Sequence, residues 1–175
     1  MQQQTGIHSL PGRTEMQVPS DLLMRVETFL NRSNLFLSPP ERILDICSEF
    51  GEVFDSLSGK GDLNEEIGDL LYSSLALCSE LKIREMLVPS VKGIGPADLA
   101  TSLGRLAKEE LKATNYGKDK QEVVSDGLRL AAAEFATKVI QFAVDKCLDP
   151  ETALAAVLLK YESRIKRSKS AGSGS

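Results

Sequence analysis

Two pairs of acids carry the sharpest chemical signal in this sequence: Glu49 with Glu52, and Glu66 with Asp69. Each pair is spaced close to one helical turn, so on a helix both members share a face. Asp45, Glu49, Glu52 and Ser56 form a stripe along the border of an apolar face made by Ile43, Ile46, Cys47, Phe50, Val53, Phe54 and Leu57. Asp62, Glu66, Asp69 and Ser73 stand in the same relation to Ile67, Leu71, Ser74, Cys78 and Leu81, while Glu65 points elsewhere. An antiparallel hairpin that packs the two apolar faces together lets the acid borders meet. Four carboxylates held together repel and raise one another's pKa unless a cation sits among them. The natural counterion is Mg²⁺, or alternatively Mn²⁺, which takes carboxylates and water and leaves positions for phosphate oxygens.

The rest of the composition removes the competing chemistries. The chain has 175 residues, 25 of them acidic, a formal net charge of -4 and 42% apolar residues, the profile of one globular domain. It has no basic field of the kind that draws a protein onto nucleic acid. Its single histidine, His8, lies outside the expected helices, and Cys47, Cys78 and Cys147 lack zinc-ligand spacing. Zinc hydrolysis, haem ligation and histidine triads therefore lose their residues. The acidity is also uneven. Between Pro39 and Glu85 eleven acids face four bases, a local net charge of -7 against -4 for the whole chain.

The elements that must position these acids are helical. Apolar residues recur at helical spacing, which predicts an all-α bundle with helices over 20–32, 39–57, 62–83, 97–114, 121–146 and 149–167. Caps and breakers frame them: Ser38-Pro39-Pro40-Glu41 opens the second helix, Ser58-Gly59-Lys60-Gly61 closes it, and Asp62 can cap the third. Pro89, Gly93, Gly95 and Pro96 mark the main internal break. Residues 1–19 and 168–175 read as flexible tails around a single domain over 20–167, divided into an acidic half over 20–86 and a second half over 97–167. The longest apolar runs, such as Leu128 to Ala133, are too short to span a bilayer, and the expected location is cytoplasmic.

Glu49-Phe50-Gly51-Glu52 and Glu66-Ile67-Gly68-Asp69 resemble the ExxE and ExxD pair of the all-α MazG-like nucleoside triphosphate pyrophosphohydrolases. The flanking Ser48 to Val53 and Glu65 to Leu71 are similar to that family's two motif contexts, and Ala153 to Arg164 is similar to its closing helix. The resemblance implies Mg²⁺ held by Glu49, Glu52, Glu66 and Asp69. It also implies hydrolysis between the α and β phosphates of a (deoxy)nucleoside triphosphate, a role in sanitising the nucleotide pool, and assembly as a homodimer or homotetramer. Lys160 and Arg164 on the last helix, or Lys118 on a loop, are the cations expected to meet the phosphates, and Tyr72 is a ring near the site. Many relatives have a tryptophan ahead of the first motif, and this chain has none, so its base-binding wall must be built differently. Residues 97–149 read as a second, decayed copy of the acidic hairpin, with Lys108-Glu109-Glu110-Leu111 in place of the first motif and Ala131 where Glu66 would align.

Two other readings use the same residues. The acid stripes could be solvated faces of a non-catalytic helical bundle that binds a partner. A related phosphohydrolase could act on another pyrophosphate with the same acids. A di-iron site wants two Glu-x-x-His motifs and finds no histidine in the helices.

Overall fold

The computed structural model describes residues 15–17, 20–83, 87–89, 93–116 and 125–172. Among the described residues six helices carry the fold, in the order α1 (Ser20–Ser33), α2 (Pro39–Leu57), α3 (Leu63–Glu80), α4 (Pro96–Tyr116), α5 (Asp126–Asp145) and α6 (Pro150–Gly172). This is an all-α bundle. Two short strands, β1 (Glu15–Gln17) and β2 (Leu87–Pro89), pair antiparallel with Met16 opposite Val88.

Local chemistry sets most of the boundaries. The Glu41 carboxylate accepts hydrogen bonds from the Ser38 backbone N–H at 2.9 Å and from the Ser38 hydroxyl at 2.6 Å, closing the first turn of α2. Gly59 and Gly61 take positive φ values of 87° and 112°, and only glycine does so without strain, so α2 turns directly into α3. Asp62 caps α3 by accepting from the Asn64 N–H at 2.9 Å, Ser125 caps α5 by accepting from the Leu128 N–H at 3.1 Å, and Asp149 caps α6 by accepting from the Thr152 N–H at 3.0 Å.

α3 is the central element, packed against α1, α2, α5 and α6. Every residue from Ile67 to Cys78 is buried, so the single inward face expected of this helix is replaced by burial all round. The core continues through Phe135, Val139, Phe142 and Ala143 of α5 and Leu154 and Val157 of α6. Where α6 crosses α3, a Cβ on Gly68 would lie 2.9 Å from Val157 Cγ2 and 3.3 Å from the Ala153 carbonyl oxygen. The motif glycine is thus a close-approach residue. Gly51, its counterpart on α2, has open space around it.

Several expected boundaries move. α6 runs on to Gly172, so the helix covers most of the expected C-terminal tail, and residues 15–17 of the expected N-terminal tail form β1. α3 stops at Glu80, with Lys82 at a φ of 56°, rather than reaching Ile83. α5 starts at Asp126, and the four residues 121–124 lie outside the described residues. On α2 the apolar face is narrower than its periodicity suggests: Ile43, Ile46 and Val53 are buried, but Cys47 and Phe54 are exposed. α2 is an edge helix packed chiefly on α3, so a single contact line suffices.

Candidate metal centre

Glu49 and Glu52 on α2 and Glu66 on α3 each offer a carboxylate oxygen, and the three oxygens lie within 4.8 Å of one another. The antiparallel packing of α2 and α3 joins their acid borders at the end of the hairpin nearest its turn. There Gly61 lies close to Glu66: a Cβ on that glycine would sit 3.5 Å from Glu66 Oε1.

Electrostatics at this point is unbalanced. Glu49 is pushed up to about 7, first by burial and then by the charges of Asp69, Glu52 and Asp45, with Lys160 opposing them. Glu66 is raised by burial, by its hydrogen bond with Glu52, and by the charges of Glu52, Asp69 and Glu65. Metal-free, the cluster therefore retains protons at a pH where ordinary carboxylates have none.

Asp69, the fourth expected ligand, is 5% exposed and is not one of the three converging acids. Its Oδ2 accepts from the Lys160 ammonium, whose Nζ also donates to Glu65 Oε1 at 2.9 Å. Burial alone would lower the pKa of Lys160, but the hydrogen bonds to Asp69 and Glu65 outweigh it and hold the ammonium charged. Glu65 faces α6 through this bond and thereby joins the site. The other oxygen of Asp69, Oδ1, is buried with no hydrogen-bond partner. An unpartnered buried carboxylate oxygen is costly unless a cation or donor meets it. Together with an all-oxygen donor set, it makes the residues present a fit for a hard divalent ion.

The outer members of the two expected stripes do other work. Asp45 Oδ2 accepts from Arg42 Nη1 at 2.9 Å and from the Ser73 hydroxyl at 2.7 Å. Asp62 is spent on capping α3. Arg42, only 3% exposed, also reaches Glu80 Oε1 at 2.8 Å and the Leu35 carbonyl at 3.2 Å, while the Leu37 N–H donates to Glu80 Oε1 at 2.9 Å. This buried network ties α2, α3 and the α1–α2 connection together at the end of the hairpin away from its turn. Arg42 and Glu80 are not among the expected site residues, although Arg42 is the only base between Pro39 and Gly59, a signal that it must be compensated by the acids around it.

The remaining expected site residues divide. Tyr72 is 4% exposed, and its ring packs edge-on against Phe29 at 5.9 Å and Tyr161 at 4.9 Å between centroids. Burial pushes its hydroxyl up to about 12. It is a core aromatic, with no face open to a base. Arg164 is exposed, with its guanidinium 5.6 Å from the centroid of the Tyr161 ring. Lys118 lies outside the described residues. On the far side of Lys160, a cleft of about 450 Å³ between the starts of α3 and α6 is lined by Asn64, Glu65, Leu148, Thr152, Val157 and Lys160. No protein-family model, curated protein or solved structure matches this chain. No helix among the described residues is long and apolar enough to cross a membrane.

Proposed function

We propose that this chain is a Mg²⁺-dependent nucleotide pyrophosphohydrolase that cleaves a (deoxy)nucleoside triphosphate to the monophosphate and pyrophosphate. The observation that carries the reading is the convergence of Glu49, Glu52 and Glu66 within 4.8 Å, together with a buried, unpartnered oxygen of Asp69, whose charge acts on Glu49 and Glu66. The resemblance of both acid motifs to the MazG-like family supplies the reaction class, and homo-oligomer formation follows from the same resemblance. When bound, Mg²⁺ would supply Lewis-acid activation of the phosphate and of the attacking water. Glu49, Glu52, Glu66 and Asp69 Oδ1 would hold it, and one carboxylate of the same group would take the proton from water. The acid cluster repels a triphosphate on its own, so the chain's cations must help to receive it. Lys160 stands between the cluster and the cleft, and Arg164 lies one helical turn beyond on α6.

The reading is tested by incubating the protein with a panel of nucleotides and Mg²⁺, scoring pyrophosphate and orthophosphate separately. Pyrophosphate release that disappears in Glu52→Ala, with helicity kept by circular dichroism, supports it. Activity that persists in both Glu52→Ala and Asp69→Ala overturns the site. A second reading, a non-catalytic partner-binding bundle, is favoured by the exposed run Leu35, Phe36 and Leu37, which are 41%, 47% and 37% exposed. It predicts no release from any nucleotide.

A further inference from the structure

Asp69 is divided between two kinds of partner. Its Oδ2 is held by the Lys160 ammonium, while Oδ1 is buried and unpartnered. The same ammonium holds Glu65 at 2.9 Å, so one fixed positive charge already serves two carboxylates on the α6 side of α3. The three converging acids, Glu49, Glu52 and Glu66, lie on the α2 side. A carboxylate with one oxygen on a fixed cation and the other unpartnered is able to bridge to a second cation.

We propose that the centre takes a single divalent ion and that the Lys160 ammonium is its built-in second cation, with Asp69 bridging the two. The proposal rests on the pyrophosphohydrolase reading, since it needs the acids to bind a divalent ion.

The packing explains how a lysine comes to hold that position. Ala153, Val157 and Lys160 follow one another at helical spacing on the face of α6 that lies against α3. Gly68 lets α6 approach closely, with Val157 and the Ala153 carbonyl filling the space of an absent Cβ, and this brings Lys160 onto Asp69, the next residue of α3. The Lys160 side chain is 22% exposed and its Nζ lies 5.7 Å from the Tyr161 ring centroid. A second divalent ion on the α6 side would meet an ammonium bonded to the very oxygens it requires.

The test is a Mn²⁺ titration followed by the electron paramagnetic resonance signal of free Mn²⁺, which reads stoichiometry without any turnover. Wild-type protein should bind one ion per chain. Lys160→Met should bind two, the second at least about tenfold more weakly than the first. Asp69→Asn should bind no more than one, with reduced affinity, because it removes the bridge. Two ions per wild-type chain overturn the proposal, and this measurement needs no variant to fold. A folded Lys160→Met that still binds one ion overturns it too, while leaving the pyrophosphohydrolase reading intact. No ion on the wild-type chain overturns both.

Discussion

In the α4–α5 hairpin, Arg105 reaches Glu134 at 2.7 Å and Lys112 reaches Glu109 at 2.5 Å, so the acids at its border are matched by cations. In the α2–α3 hairpin, Glu49, Glu52 and Glu66 converge on one another, and Lys160 reaches Asp69 and Glu65. Both hairpins are held by buried apolar faces, and their border charges are set independently of that packing. Ala131, the residue expected to correspond to Glu66 in the second hairpin, is 3% exposed, a small residue that simply completes the core. Packing a helical hairpin does not call for acid against acid. The α2–α3 arrangement is a cost to the fold, which the proposed cation-binding role would offset.

The contrast can be broken first at its buried end. Arg42→Met should cost about 3–5 kcal/mol in denaturant unfolding, because it leaves Glu80 charged and buried without its partner. Arg105→Ala, whose side chain is 55% exposed, should cost no more than about 1 kcal/mol. Equal losses would mean that the two hairpins are held by the same forces.

Activity comes next. Glu52→Ala should lower pyrophosphate release at least about a hundredfold, equivalent to about 2.7 kcal/mol. Glu134→Ala on the matched hairpin should stay within about twofold of wild type. A comparable loss in both would erase the distinction between them.

The two motif glycines give a smaller and opposite pair of effects. Gly68→Ala should destabilise by about 1–3 kcal/mol, since its methyl meets Val157 and the α6 backbone. Gly51→Ala, inside a helix and facing open space, should stabilise by about 0.5–1 kcal/mol. Thermal melts of both variants decide it.

The last contrast is a pH dependence. Glu49 titrates at about 7 in the folded chain against an ordinary 4.5, so the native state holds the proton more tightly than the unfolded chain. Its contribution to stability is complete below the ordinary value and is lost as pH rises through the folded one. Melting temperatures of the metal-free protein should therefore fall between about pH 5 and pH 8. Glu49→Gln should flatten that slope, and Mg²⁺ should reverse it if the cluster binds the ion.

Much of this was legible in the linear chain. Ser38-Pro39-Pro40-Glu41, Gly59, Gly61 and Asp62 placed the α2–α3 hairpin because capping and left-handed backbone are local matters. The acid spacing put Glu49, Glu52 and Glu66 on facing borders for the same reason. What misled was periodicity on α3 and α2. α3 is surrounded by four helices and α2 touches chiefly one, so the width of the buried face was set by the number of neighbours. Tyr72 looked like a ring beside the site and is instead locked among Phe29 and Tyr161.

The sequence by itself determined the helices, their caps and the pairs of acids on one face, because each depends on residues within a turn or two of one another. Tertiary structure alone decided that Arg42 neutralises Glu80, that Glu65 joins the site from its α6 side, and that Lys160, remote in sequence, shares Asp69. Those are long-range charge pairings. They follow from which helices come into contact and how closely, and at Gly68 that closeness depends on an absent side chain.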